Sequence, residues 1–512
     1  MGSRSLARSE ERQGASPTSG IRERHREVVA WAVVSSLLLA SVISHEMWRD
    51  EVQAWGIARA STWPWDVVGN MAWERHPPLW HLLLWVVAQV SGAPGIAHAT
   101  GFVIGSAVMW VLIRHAPGPL WLRVMVAAGY YPMFELGTIA RSWGLVALLV
   151  LLVLVEADRL TPRPAILGTL LVAVCLTELH AVPLAAALGV STLLPLLNTR
   201  RVRLAAAGLA VSFVLALGLL LQAPDGRDSR RLRLRSLSEY YERVGGVVTS
   251  VQRALFPVLE PRDEFWGSYL IERQPGLSAI AAVAVVVIVT AIAARNRRVL
   301  LQWLISLAGF GVLVVVLELP ARPRHISVVW LSVVAVMWQL SRRPGAAASA
   351  GRVPFPTWIN AFVVGSIVAS LLASGIAVAS DARHPFTTAE ALAEWVGERA
   401  ADDVVVFCGT RAYLCDPVSI RLDTTSHRTA DHIGTRFTVF DRGWKSQLSS
   451  AEVVAQANEL AARRNVDVAI VQSMSADARV ECRDPFVPDG PSISGEDLTA
   501  CMVNDLIDAG TP

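Results

Sequence analysis

The sequence is short of charge. Only 17% of its 512 residues are Asp, Glu, Lys or Arg, where an ordinary soluble domain carries about 25%. The deficit lies between Val28 and Ser380, where apolar stretches of spanning length recur, and the tail from Asp381 has a soluble composition. Cysteine is scarce too. Of the five, Cys175 sits in an apolar run, and Cys408, Cys415, Cys482 and Cys501 fall in the tail. Four cysteines allow three pairings, which the sequence leaves open. Their spacing does not match the paired CxxC of a zinc site. The first apolar run, Val28–Ser44, lacks a small-residue cleavage site, and the polar segment 1–27 before it is too long and too charged to open a signal peptide. There is no convincing internal repeat.

What is present is apolar length. About 20 apolar residues cross a bilayer as a helix, and runs of that kind are expected to span near 28–45, 79–113, 119–135, 138–157, 165–179, 181–198, 203–222, 276–294, 299–319, 325–341 and 357–380. The stretch 79–113 breaks at Ser91-Gly92-Ala93-Pro94 and is read as one crossing plus an interfacial or partly embedded helix. The fold class expected is a polytopic α-helical membrane protein of about eleven spans, with a small C-terminal α/β extracytoplasmic domain. Residues 1–27 would be a disordered cytoplasmic N-terminus, 28–380 the membrane domain and 381–512 the soluble domain. Within the membrane domain, 46–78 would form the first external loop and 223–275 a long external loop.

Arginines favour the cytoplasmic ends of spans. The N-terminal arginines, Arg114, Arg159 with Arg163, Arg200-Arg201 with Arg203, Arg295 with Arg297-Arg298, and Arg342-Arg343 all fall on the side of the N-terminus in this span list. The protein is then expected in a cell membrane, with its N-terminus cytoplasmic and its tail outside the cytoplasm. The run "RRLRLRSL" from Arg230 runs against this pattern, but long loops follow the charge rule poorly and such a run can lie on anionic headgroups.

The tail alternates helix and strand signals. Thr387 followed by Glu390 reads as a capping box opening a helix, and Ser449 followed by Glu452 as a second one, for a helix to about Arg464. "DVVVFC" from Asp403 and "VDVAIVQ" from Val466 read as strands. No Gly-rich phosphate loop follows either strand, which excludes a familiar nucleotide site.

The segment after the first span holds the acidic pair Asp50-Glu51 among many tryptophans and ends at Pro77-Pro78. Alone it reads as an interfacial belt with two solvated acids. Other charged residues sit at span ends on the same side: Glu135 and Arg141, Glu178 and His180, and Arg322, Arg324 and His325. Ionisable residues at membrane depth usually mark a site. Arg141 could instead snorkel or pair with Glu135, Glu178 and His180 could form a satisfied turn, and Arg324 could anchor at the interface. Together these residues suit one chemistry. An outward-facing carboxylate can act as general base toward a hydroxyl, and arginines at the bilayer surface can hold a phosphate. That is what transfer from a lipid-linked phosphosugar requires.

In the order and spacing of these motifs the chain resembles the GT-C superfamily of polyprenyl-phosphate-sugar glycosyltransferases, such as protein O-mannosyltransferases and the aminoarabinose transferases of lipid A. The resemblance rests on Asp50-Glu51, on His76-Pro77-Pro78-Leu79, on Arg141-Ser142-Trp143, on His180 and on Arg322-Pro323-Arg324-His325. It covers the membrane region, is strongest over 46–157 and is weak in the tail. It implies that Asp50 is the catalytic base and that Glu51 positions the acceptor or a cation. It further implies that Arg141 and Arg324 contact the lipid phosphate, and that His76, His180, Glu74 and Arg322 belong to the substrate site. His76 stands where many relatives have lysine, so its contact would depend on pH near an unperturbed pKa of about 6.5. The donor would be a polyprenyl-phosphate mannose, arabinose or similar sugar, and the acceptor an envelope glycan, a glycolipid or a protein. No nucleic-acid partner and no cofactor are expected. Asp50-Glu51 could ligate a divalent cation, but the sequence offers no full ligand set, so no metal is expected. Two other readings compete. One is a transporter or flippase of a lipid-linked envelope substrate, which internal repeats would favour; no convincing repeat is found, and the charged residues sit at span ends rather than at the midplane. The other is a membrane-anchored scaffold acting through its tail, which leaves the charged span ends unexplained.

Overall fold

The computed structural model describes residues 17–74, 76–193, 206–212, 236–262, 264–317, 321–341, 356–400, 403–409, 411–440, 448–474 and 479–506, with residues 196, 200, 203, 218 and 319. Most of the expected span 203–222, the run from Arg230 to Arg235 and the pair Arg342-Arg343 lie outside these residues.

The chain is a helical membrane protein with a small sheet near its C-terminus. Among the described residues, five helical stretches are long and apolar enough to cross a bilayer: Ile21–Ser44, Gly95–His115, Pro275–Ala293, Arg297–Val316 and Thr357–Asp381. In chain order the helices are α1 (Pro17–Ser44), α2 (Arg49–Ala60), α3 (Pro64–Asn70), α4 (Leu79–Ala88), α5 (Gly95–His115), α6 (Leu120–Ala127), α7 (Ser142–Ala157), α8 (Pro164–Thr177), α9 (Val182–Thr192), α10 (Leu237–Leu255), α11 (Pro275–Ala293), α12 (Arg297–Gly311), α13 (Pro323–Ser341) and α14 (Thr357–Asp381). The span-length helices have outer faces as apolar as their inner ones. On α1, Val34, Leu38 and Val42 are buried while Val33, Leu37 and Ile43 are exposed. Water would not tolerate that exposed set on so many helices, and lipid does.

Polar side chains join the spans inside. Ser35 and Ser41 of α1 hydrogen-bond Ser106 and Thr138, each at 2.8 Å. Gly105 of α5 lies so close to Gly137 that an added Cβ would sit 2.7 Å from its Cα. Small residues at this crossing let the backbones approach, as membrane helices require when no hydrophobic effect drives them together.

Several expected boundaries move. Residues 17–27 are helical rather than disordered, because Glu27 is buried and accepts from Arg114 Nη1 (2.6 Å) and Arg123 Nη1 (3.0 Å), which extends α1 beyond the apolar run. The run 79–113, by contrast, divides at its expected break, into α4, ten residues and too short to span, and α5 of 21 residues. The stretch 223–275 is not merely a loop, since it contains the 19-residue amphipathic α10, which packs on α11 and α13. Segment 46–78 is not a surface belt. Trp63 and Trp65 are exposed, but Trp48 and Trp55 are fully buried as α2 packs on α4.

The tail forms α15 (Ala389–Arg399), α16 (Asp416–Arg421) and α17 (Ser450–Arg464) around a four-stranded sheet in the order β2-β1-β3-β4. Its strands are β1 (Val404–Cys408), β2 (Ser426–His427), β3 (Asp467–Ser473) and β4 (Leu498–Met502). β1 runs parallel to β2 and β3, with Phe407 opposite Ile470, and β4 is antiparallel to β3. The sequence shows β1, β3, α15 and α17. It does not show β2, which is two residues long, or β4, whose Thr and Cys carry a weak strand signal. Cys408 pairs with Cys415, and Cys482 with Cys501. The Ser449–Glu452 capping box forms as expected. The Thr387–Glu390 box does not, because α15 is capped from the membrane domain. Glu46 accepts from Thr387 N (2.9 Å) and Glu390 N (2.7 Å), with Arg421 at 3.6 Å. Gln53 of α2 makes a two-bond pair with the backbone of Thr438 (2.8 and 2.9 Å). Gly56 touches the Arg436 carbonyl, where any Cβ would collide. These contacts fix the tail against the segment that carries Asp50.

Candidate functional site

A cavity of about 250 Å³ opens at the ends of α4, α7 and α8, under the tail. Its wall includes Asp50, Glu74, His76, Arg141, Arg322 and Arg324, six of the eight residues singled out from the sequence.

Asp50 is held by cations. Arg141 Nη2 is 2.9 Å and Arg324 Nη2 3.3 Å from its Oδ2, and Arg49 Nε is 3.5 Å from Oδ1. The carboxylate is 23% exposed, toward the cavity. Burial pushes its pKa up, but Arg324, Arg141 and Arg49 outweigh that and hold it well below the usual carboxylate range. Local chain geometry explains the convergence. Asp50 lies in the first turn of α2, where the helix dipole favours an acid. Before α7 the chain makes a π-helical segment, Tyr131–Thr138, closed by a bond from Thr138 Oγ1 to the Met133 carbonyl (2.9 Å). It leaves Arg141 extended just ahead of α7, with its side chain free to reach across. Arg324 comes from the first turn of α13.

One aromatic ring organises these cations. Trp48 is fully buried, and the guanidinium carbons of Arg49, Arg141 and Arg324 lie 5.1, 5.3 and 5.1 Å from its ring centroid. Cation–π attraction offsets part of their mutual repulsion. Arg141 Nη1 is buried and without a hydrogen-bond partner among the described residues. The site therefore holds more cationic donor capacity than Asp50 uses, which suits an anionic ligand.

Glu178, also on the cavity wall, accepts from Ser142 Oγ and Leu179 N, both at 3.0 Å, and stands 3.5 Å from His76 Nδ1. Burial opposes charge on His76, yet Glu178 and Glu74 raise its pKa above the ordinary value. Glu74 also accepts from Gln53 Nε2.

Glu51 and His180 do not reach the cavity wall. Glu51 is buried on the other side of α2, where it accepts from Trp48 N (2.8 Å) and Ala140 N (2.6 Å) and meets His45 Nε2 (3.2 Å). It fixes the entry of α2 and the chain just before Arg141. His45, Glu51 and His98 together form a group that could hold a metal ion. His180 stacks on His325 at 4.1 Å between centroids, and His325 in turn accepts from Arg324 Nε at 3.4 Å. Glu135 does not pair with Arg141. It accepts from Tyr130 OH (2.6 Å) and Trp266 Nε1 (2.9 Å).

Sequence reasoning missed Arg49, Gln53, Tyr413 and Phe440, which also line the cavity. Arg49 had a visible signal, its place beside Asp50. Tyr413 and Phe440 had none, since they come from tail loops. Arg49 spans both units: its guanidinium stacks on Tyr413 at 4.5 Å, and its Nη1 is 2.5 Å from Glu496. Burial pushes Glu496 up to about 7 against the pull of Arg49.

The sequence matches no protein-family model and no curated protein. Fold and site by themselves define a polytopic helical membrane protein with a cationic, carboxylate-bearing cavity beneath a small α/β unit.

Proposed function

We propose that this chain is an integral-membrane glycosyltransferase of the GT-C kind. It would move a sugar from a polyprenyl-phosphate donor to a hydroxyl of an envelope glycan, glycolipid or protein. The observation that supports this most is Asp50 held between Arg141 and Arg324 on the wall of a polar cavity. Two arginines around one carboxylate form a site that a phosphate can enter by exchange. The incoming lipid phosphate takes the guanidinium donors by bidentate hydrogen bonds, and His76 adds a cation from the cavity wall. Asp50, released from its ion pairs, is then available as a base. It takes the proton of the acceptor hydroxyl while that oxygen bonds to the anomeric carbon. The carbon–oxygen bond to the phosphate breaks, its electron pair stays on the lipid phosphate, and the arginines stabilise the charge that grows there. A single displacement inverts the anomeric configuration.

The same reading proposes about eleven spans, a cytoplasmic N-terminus and an extracytoplasmic tail. The two tail disulfides support that side, since such bonds persist in oxidising compartments. The test is transfer from lipid-linked sugars by the purified protein and its Asp50→Asn variant. A variant as active as wild type removes Asp50 as the base, and translocation of the lipid with no transfer replaces the enzyme by a flippase.

A further inference from the structure

Away from the cavity, three side chains from three separate elements converge: His45 just after α1, Glu51 in the first turn of α2 and His98 near the start of α5. His45 Nε2 lies 3.2 Å from Glu51 Oε2, and His98 Nε2 lies 3.7 Å from Glu51 Oε1. Donors of a tetrahedral ion bound at ~2.0–2.1 Å are ~3.3–3.4 Å apart, a value that the two distances to Glu51 bracket, and one ligand atom from each of the three side chains lies within 4.8 Å of the others.

Three further observations distinguish the group from an ordinary buried ion pair. His98 Nε2 is buried and makes no hydrogen bond among the described residues. A core histidine with no other task would find an acceptor. His45 Nδ1 is bonded to the Asp381 carboxylate at 3.0 and 3.2 Å. A carboxylate behind a histidine fixes its tautomer and aims the other nitrogen at a metal, the arrangement that backs most ligating histidines. Charge points the same way. Glu51 and Asp381 are both buried carboxylates facing His45. One divalent cation with two neutral imidazoles balances them. His98 is 14% exposed, which leaves an ion a way in.

We infer that His45, Glu51 and His98 bind a divalent transition-metal ion of the zinc class, with Asp381 orienting His45. Two histidines and one carboxylate form a ligand set that zinc accepts, with water in the fourth position. The ion ties together the end of the first span, the helix that bears Asp50 and the second long apolar helix. It stands apart from the glycosyltransferase reading and does not depend on it.

The test uses the full-length protein in detergent, with affinity tags removed. After exposure to zinc and removal of the excess, wild type should retain about one ion per chain. Replacement by cobalt(II) should give visible absorption of a tetrahedral nitrogen–oxygen site. His98→Ala and Glu51→Gln should each lose the ion. Asp381→Asn should retain the site with affinity lowered roughly 10–100-fold. Substoichiometric metal and no cobalt spectrum in wild type would leave an imidazolium–carboxylate network only and overturn the inference. So would undiminished binding in both His98→Ala and Glu51→Gln. If a ligand variant fails to fold, the wild-type cobalt spectrum and the Asp381→Asn affinity still decide the question.

Discussion

Arg141 Nη2 lies 2.9 Å from Asp50 Oδ2, so the arginine that heads one apolar helix neutralises the acid that opens another. On the proposed reading, donor phosphate and Asp50 would compete for the same guanidinium groups. Asp50→Asn is expected to lower transfer about 10²–10⁴-fold, the range of a lost general base, while binding polyprenyl phosphate as tightly as wild type or more so. Arg141→Gln should weaken that binding. Measuring affinity by titration and rate by product release separates the two. Weakened lipid binding in both variants would make Asp50 a structural counter-ion instead.

His76 offers a pH signature. Glu178 raises its pKa above 6.5, so the cation persists below that raised value and is lost as pH climbs through it. If His76 binds the donor phosphate, donor kcat/KM should fall along a basic limb that lies above the range of an ordinary histidine. His76→Lys should carry the limb to higher pH, and Glu178→Gln should bring it lower. A limb that ignores both substitutions belongs to another group.

Asp416 gives a second pH dependence, this time in stability. It is buried with Ser426 Oγ at 2.9 Å and Thr438 Oγ1 at 2.5 Å, and burial pushes its carboxyl up to about 6. An unfolded Asp titrates near ~3.9, so between these values the folded chain holds the extra proton. Its stabilising share is complete below about pH 4 and is lost as pH rises through about 6. Thermal unfolding midpoints measured across that window should decline in wild type and flatten in Asp416→Asn. Equal slopes would assign the decline elsewhere.

The proposed topology is open to a direct check. Compartment-sensitive reporters fused at Arg163 and at Asp403 should report opposite sides of the membrane. The same side for both would invert either the span count or the sidedness of the tail.

Much of the architecture was legible along the chain. Apolar runs mark α1, α5, α11, α12 and α14, because a helix in lipid must be apolar all round. The break at Ser91-Gly92-Ala93-Pro94 separates α4 from α5 as read. The tail strands β1 and β3 stand out as β-branched runs. Edge strands were not legible. β2 is too short for any periodicity, and β4 is specified by pairing with β3 rather than by its own residues.

The sequence by itself determined much of the chemical inventory: Arg141, Glu178, His180, Arg322 and Arg324 stand out as ionisable residues at span ends, and the family resemblance adds Asp50, Glu74 and His76 from the segment 46–78. Tertiary structure alone decided how that inventory divides. Asp50 and Glu51 are neighbours in sequence, but successive residues of a helix point about 100° apart. One therefore faces three arginines across the cavity while the other is buried against His45, His98 and the Ala140 amide. No linear pattern brings His98 or Asp381 to that spot. Only the packing of α1, α2, α5 and α14 does, since side-chain proximity across helices depends on where their ends meet and not on distance along the chain.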